Sequence, residues 1–184
     1  MKQGCYDSVE IATAGELPAG HPLQRHLETD EVRLDAGDPG PDFELVASPG
    51  VGTSYDAEFV ERFLREGATW VGLGAHPHIV QAYEVLRIGD GREVYLILEL
   101  VAKQQGRADA SLRAWLVPGQ TLPVDQALLF ALQIARGMTH ATDTIPGLVH
   151  RDLKPENVLV GADRLAQANV PRLRVTDFGL ATVL

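Results

Sequence analysis

Leu148-Val149-His150-Arg151-Asp152-Leu153-Lys154-Pro155-Glu156-Asn157-Val158-Leu159-Val160, with Thr176-Asp177-Phe178-Gly179-Leu180 downstream, decides the reading of this chain. It sets two carboxylates, one carboxamide and one ammonium on polar loops beside short apolar, β-type pieces. Mg²⁺ prefers hard oxygen ligands and takes one or two protein carboxylates, leaving its other positions to water and phosphate oxygens. Asn157 and Asp177 suit that task. Phosphoryl transfer needs charge neutralisation and an aligned hydroxyl more than covalent chemistry, so a further carboxylate and a cation complete the set. Asp152 and Lys154 supply them.

The composition is that of an ordinary soluble chain. The 184 residues carry 16 Lys+Arg against 25 Asp+Glu, a net charge of −9, with 45% hydrophobic residues. That apolar share is enough for a core and excludes wholesale disorder, collagen-like and coiled-coil compositions. The acidic balance speaks against nucleic acid, whose phosphates need clustered cations. The richest apolar run, Ala127–Leu132, stops at Gln133, too short to cross a bilayer, so no membrane span is expected. Cys5 is the only cysteine, which excludes an internal disulfide and a multi-cysteine zinc site. With no apolar stretch behind Met1 to suggest secretion, a cytoplasmic setting is expected.

Residues 1–53 read as an acidic, Gly/Pro-rich segment. The first fifty hold five prolines, six glycines and ten acidic against three basic residues, with only Val32–Leu34 and Phe43–Val46 able to pair as strands. From Ser54 or Asp56, either able to cap, the spacing of Phe59, Phe63, Leu64 and Trp70 predicts an amphipathic helix. His76-Pro77-His78 is expected to break it. A metal pair at these histidines is the lesser reading, because the intervening proline favours a structural turn. Ile79–Ile88 and Glu93–Val101 predict two antiparallel strands joined by Gly89-Asp90-Gly91. Ser111–Leu116 predicts a short helix, and Val124–Ala141, with Pro123 at its first position, a long one. Strand pieces follow at Asn157–Val160 and Leu173–Thr176, with a long hairpin loop over residues 161–172.

On the residues from His150 to Asn157 and Asp177-Phe178-Gly179, the sequence resembles the eukaryotic-type protein kinases. The resemblance runs from about Asp56 to the last residue. It implies an α+β, two-lobe protein-kinase-like fold, incomplete, with residues 54–101 as a partial small lobe and 102–184 as a partial large lobe. Asp152 would orient the substrate hydroxyl or accept its proton, Lys154 would contact the γ-phosphate of ATP, and Asn157 and Asp177 would hold Mg²⁺. His150 and Phe178 would support the core, and Arg151 would pair with a phosphorylated activation segment. In Phe63-Leu64-Arg65-Glu66, Glu66 resembles the inward-facing glutamate of the regulatory helix. Leu98 would stand beside adenine, with the backbone of Glu99 and Val101 at the purine edge. Lys154-Pro155-Glu156 resembles the serine/threonine-specific form, so a protein Ser/Thr hydroxyl is the expected acceptor. A small-molecule kinase would need a helical substrate cap that no segment provides.

Two departures bear on activity. The lysines are Lys2, Lys103 and Lys154, so none stands about twenty residues before Glu66, where the family places its phosphate-anchoring lysine; Phe43-Glu44-Leu45-Val46-Ala47 lies there. Gly50-Val51-Gly52 is too close to Glu66 to serve as the phosphate loop. Leu184 stands five positions beyond Gly179, so the anchor motif and later helices of the family are not in this sequence. The helix face around Leu128, Leu129, Leu132 and Ile134 is therefore expected to lack its cover. These departures keep a second expectation open, a catalytically impaired pseudokinase or relic acting as a binding module.

Overall fold

The computed structural model describes residues 43–47, 57–88, 93–165, 170–178 and 182–183. The expected cap at Ser54 or Asp56, the Gly89-Asp90-Gly91 turn, Val32–Leu34 and Gly50–Gly52 lie outside them. By chain contacts the molecule divides into two compact units, one containing Ala82–Leu100 and what precedes Thr69, the other Thr69–Gln81 and Val101 onward.

In the first unit, β1 (Phe43–Ala47), β2 (Ala82–Ile88) and β3 (Glu93–Glu99) form an antiparallel sheet in the order β1-β3-β2. β3 is the central strand. Val94 through Leu98 are all buried, as befits a strand covered on both faces rather than one alternating between core and water. Helix α1 (Ala57–Gly72) buries Val60, Phe63, Gly67 and Trp70 at three- and four-residue intervals, while Glu61, Arg62 and Arg65 are exposed. A Cβ on Gly67 would lie 2.6 Å from a Val85 methyl, so the missing side chain is what allows β2 this close to the helix.

Helix α1 stops earlier than Pro77. Leu73 N–H and Gly74 N–H turn back to the carbonyls of Trp70 and Val71 at 3.1 Å, and Gly74 takes φ +65°, a conformation glycine adopts without cost. The strand expected from Ile79 begins only at Ala82. Ile79 instead makes a parallel bridge to Val175, because Val80 N–H and His78 C=O are both bonded to Val175 at 2.9 Å.

The second unit is built on α2 (Val124–Thr144). Pro123 precedes the helix with ψ 140° rather than standing at its first position, and its carbonyl accepts the first helical bond from Ala127 N–H. The helix runs three residues past the expected Ala141 and ends at Ile145, which Pro146 forces into extended backbone. Ser111–Leu116 contains a 3₁₀ turn at Leu112–Trp115. Beyond β4 (Leu148–Val149) comes a 3₁₀ turn at Pro155–Asn157, then the antiparallel pair β5 (Val158–Leu165) and β6 (Val170–Val175). The long loop expected over 161–172 is therefore mostly strand, the ladder continuing past an irregularity between Val160 and Arg164. Strand β7 (Thr182–Val183) pairs with β4.

Phe130, Val158, Val160 and Leu173 form the core beneath this hairpin, with Leu112, Trp115, Leu122 and Ile134 packed around them. Val124, Leu128 and Leu132, at four-residue spacing, face outward, whereas Leu129 and Ile134 are partly buried. No helix among the described residues is long and apolar enough to cross a membrane.

Candidate active site

The site is assembled by the turn that carries Lys154 to Asn157. Lys154 is extended (φ −145°), Pro155 begins the 3₁₀ turn, and Asn157 N–H closes it on Lys154 C=O at 2.9 Å. This folds Asn157 back over Asp152. Its Nδ2 donates to the Asp152 backbone carbonyl and to Asp152 Oδ2, both at 3.0 Å, and to Asp177 Oδ2 at 3.1 Å. Lys154 Nζ donates to Asp152 Oδ2 at 2.6 Å. Asn157 is thus the hub, largely buried, with a carboxylate on either side.

Asp177 is delivered by β6 through Thr176, whose peptide is held at both ends. Thr176 N–H bonds to Asn157 C=O at 3.0 Å, and His150 Nε2 donates to Thr176 C=O at 3.0 Å. His150 Nδ1 faces Asp152 N–H at 3.4 Å, so the two contacts fix which ring nitrogen carries the proton. Asp177 has φ 62° and Arg151 φ 67°, left-handed conformations that aspartate tolerates better than most residues and that arginine adopts only under constraint. Part of that constraint is Phe178, fully buried, its ring 4.7 Å from His150 and 5.7 Å from Trp70. Burying that side chain contributes about 1.5–3 kcal/mol, enough to offset the backbone strain beside it.

The Lys154 ammonium beside Asp152 holds its carboxyl below the usual range, helped by Asn157 and His150. The Lys154 ammonium is pushed up by the same hydrogen bond. Each member of the pair thus reinforces the other's charge. Asp177 and Asn157 each carry a hard side-chain oxygen, a donor type that fits a divalent cation sharing its remaining positions with phosphate, and the two residues meet through Asn157 Nδ2. Among the described residues no group of three or more His, Cys, Asp or Glu gathers into an all-protein metal centre. Mg²⁺ does not require one.

Asp152, Lys154, Asn157 and Asp177 are brought together. Val101, buried, lies in the same unit, while Leu98 and Glu99 end β3 in the first unit and Glu66 lies there on α1. Glu66 pairs with Arg62 at 3.7 Å in i,i+4 geometry, its side chain largely buried while that of Arg62 is exposed. His78 is buried with Nδ1 3.0 Å from Leu173 C=O, and His76 stacks on His140 at 4.5 Å, so this pair packs the turn. The sequence reading gives Gln133 no role. Its signal was a lone polar residue at the helical spacing of the buried Phe130, Gly137 and Ala141.

Compared with known proteins, residues 51–184 match the protein kinase domain. The chain belongs to that family. It is 32% identical over 130 residues to serine/threonine-protein kinase PrkC of Bacillus subtilis, covering 70% of this chain and 17% of that protein. It is 35% identical over 131 residues to serine/threonine-protein kinase PknA of Mycobacterium tuberculosis, covering 70% of this chain and 27% of that protein. Serine/threonine-protein kinase PkaB of Streptomyces coelicolor is 32% identical over 130 residues, 28% of its length being covered. The chain spans less than a third of each of these relatives.

Proposed function

We propose that this chain carries the phosphoryl-transfer centre of a protein serine/threonine kinase, which moves the γ-phosphoryl of ATP to a protein hydroxyl. The observation that carries this reading is Asn157, joined within 3.1 Å to both Asp152 and Asp177. Two carboxylates so placed have distinct tasks. Mg²⁺ held by Asp177 and Asn157 would neutralise the phosphate charge. Asp152 faces the incoming hydroxyl, and its depressed pKa makes it an orienting acceptor that takes the proton late, when the oxygen has become acidic. Lys154, kept cationic by Asp152, stands ready for the transferring phosphoryl oxygens.

Adenine would rest by Leu98 and the backbone of Glu99 and Val101, with Glu66 on the regulatory helix. Residues 54–101 would serve as part of a small lobe and 102–184 as part of a large lobe, after an acidic segment at 1–53. ATP as donor fits a cytoplasmic setting, and the net charge of −9 fits a protein rather than nucleic-acid substrate. Serine/threonine specificity rests on Lys154-Pro155-Glu156 and on the kinds of kinase the chain resembles.

The test is transfer of labelled phosphate from MgATP to a generic protein, together with MgATP-dependent thermal stabilisation, for the wild type, Asp152→Ala and Asp177→Ala. Transfer and stabilisation in the wild type, with transfer lost in both variants and stabilisation lost in Asp177→Ala, are expected. A wild-type chain showing neither refutes the assignment.

A further inference from the structure

Gln133 stands within α2, 2% exposed, on the face that also buries Phe130, Gly137 and Ala141. An amide in such a place costs stability unless both its ends are bonded. Both are. Oε1 accepts from Leu173 N–H at 2.9 Å, and Nε2 donates to Pro171 C=O at 3.2 Å.

These groups belong to the edge of β6 that faces away from β5. Taking the N–H of one residue and the C=O of the residue two before it is what one residue of a parallel neighbouring strand does, here opposite Arg172. The substitution continues along the edge. His78 Nδ1 reaches Leu173 C=O at 3.0 Å, and Ile79 then forms a parallel bridge with Val175 through two 2.9 Å bonds. The outer edge of β6 is thus closed by a composite strand of one side-chain amide, one imidazole and one backbone residue, drawn from two separate segments.

Position along the ladder shows what the amide is for. The β5–β6 register is regular from Val158↔Val175 to Val160↔Leu173, then shifts before Arg164↔Pro171. The two residues that Gln133 grips, Leu173 and Pro171, bracket that irregularity from the opposite side. β5 holds β6 by three pairs on the Asp177 side of the irregularity and two beyond it, out of step with the first three, and β6 runs through Thr176 straight into Asp177.

We propose that Gln133 is a positioning residue for Asp177: its amide spans the ladder irregularity, fixes β6 along its axis, and so sets the carboxylate against Asn157. This rests on the phosphoryl-transfer reading above, in which Asp177 faces the metal-bound nucleotide. Removing the amide lets β6 shift and should weaken metal–nucleotide affinity without touching a group that contacts either.

The test uses the full chain as wild type, Gln133→Met, which keeps the volume and loses the amide, and Gln133→Glu, which keeps the acceptor for Leu173 N–H and loses the donor to Pro171. Two readouts serve: hydrogen exchange at the Leu173 amide, and affinity for Mn²⁺ with ATP, followed by the electron paramagnetic resonance of free Mn²⁺. In Gln133→Met, Leu173 exchange should accelerate by about 10-fold or more, and Mn²⁺–ATP affinity should fall by about 10-fold. ATP binding without metal should be unchanged, and Gln133→Glu should retain Leu173 protection and fall between. Wild-type Mn²⁺–ATP affinity in Gln133→Met, whatever its melting temperature, overturns the inference and leaves Gln133 a packing residue. Should Gln133→Met not fold, unchanged affinity in Gln133→Glu overturns it equally. A wild type whose Mn²⁺–ATP affinity Asp177→Ala does not alter refutes the phosphoryl-transfer reading itself, a result visible before any Gln133 variant is made.

Discussion

Asn157 Nδ2 lies 3.1 Å from Asp177 Oδ2, although twenty positions and the β5–β6 hairpin separate the two residues in the chain. The same Nδ2 meets Asp152 Oδ2 at 3.0 Å. One carboxamide thus spaces two like charges that would otherwise repel, and it does so from a turn fixed by Pro155. The two carboxylates are thus held close together with the amide between them.

Asp152→Asn should separate catalysis from stability. The Asp152–Lys154 pair is partly exposed and screened by solvent, so its loss should leave the melting temperature close to that of the wild type. Phosphate transfer should fall by about 10²–10⁴-fold with loss of the acceptor carboxylate. Parallel melting curves and transfer rates check both halves.

Asp177 offers a comparison of two replacements at one left-handed position, φ 62°. Asparagine tolerates this conformation well, whereas alanine should cost about 1 kcal/mol. Asp177→Asn is therefore expected to melt near the wild type and Asp177→Ala below it. Both should lose the rise in melting temperature produced by MgATP, which for a ligand at a hundred times its Kd amounts to about 2.7 kcal/mol.

Gly137→Ala tests whether propensity or packing governs α2. Alanine gains about 1 kcal/mol of helix propensity over glycine, yet its Cβ would stand 2.5 Å from the His78 carbonyl oxygen. That oxygen is backbone and already accepts from Val175 N–H, so it has little room to yield. The clash should win, with a net loss of about 1–2 kcal/mol in denaturant unfolding.

Stability should fall as the solution becomes mildly acidic. Burial lowers the pKa of His76 below 6.5, aided by His140 and His78. Burial likewise lowers that of His78 against the opposing bond to Leu173, with smaller contributions from Arg136, Arg172 and Arg174. A histidine depressed in the fold stays neutral there while the unfolded chain takes up a proton, so its stabilising effect is full above the unfolded value of 6.5. It is lost progressively as pH drops through 6.5 and levels off below the folded value. His76 Nδ1 also accepts from His78 N–H at 3.2 Å, a bond that protonation at that nitrogen removes. Melting temperature should decline between pH 7.5 and pH 5.5, and His76→Asn should flatten that decline; an unaltered slope would count against the histidines as its source.

Local chemistry settled much of the chain in advance. Buried residues at helical spacing in Ala57–Gly72 and Val124–Thr144, and β-branched residues in β2 and β3, made the element types legible. Element ends were less so. Gly74 stops α1 before Pro77 can, and Ile79 leaves its expected strand because Val175, nearly a hundred residues away, takes its neighbours' hydrogen bonds. Residues 161–172 looked like a loop because Gly161 and the charged Asp163, Arg164 and Arg172 hide a strand pairing that continues past an irregularity.

The sequence by itself determined the chemistry: the kinds of side chain at Asp152, Lys154, Asn157 and Asp177, and the family to which such a set belongs. Residue type and local spacing are properties of the covalent chain. Only the tertiary structure decided that Asn157 would lie between the carboxylates, that Thr176 would be gripped by Asn157 and His150, and that Gln133 would complete the edge of β6. Hydrogen bonds between distant segments depend on how strands and helices come to rest against one another, and that is set by burial of the Phe130, Val158, Val160 and Leu173 core rather than by any neighbour in sequence.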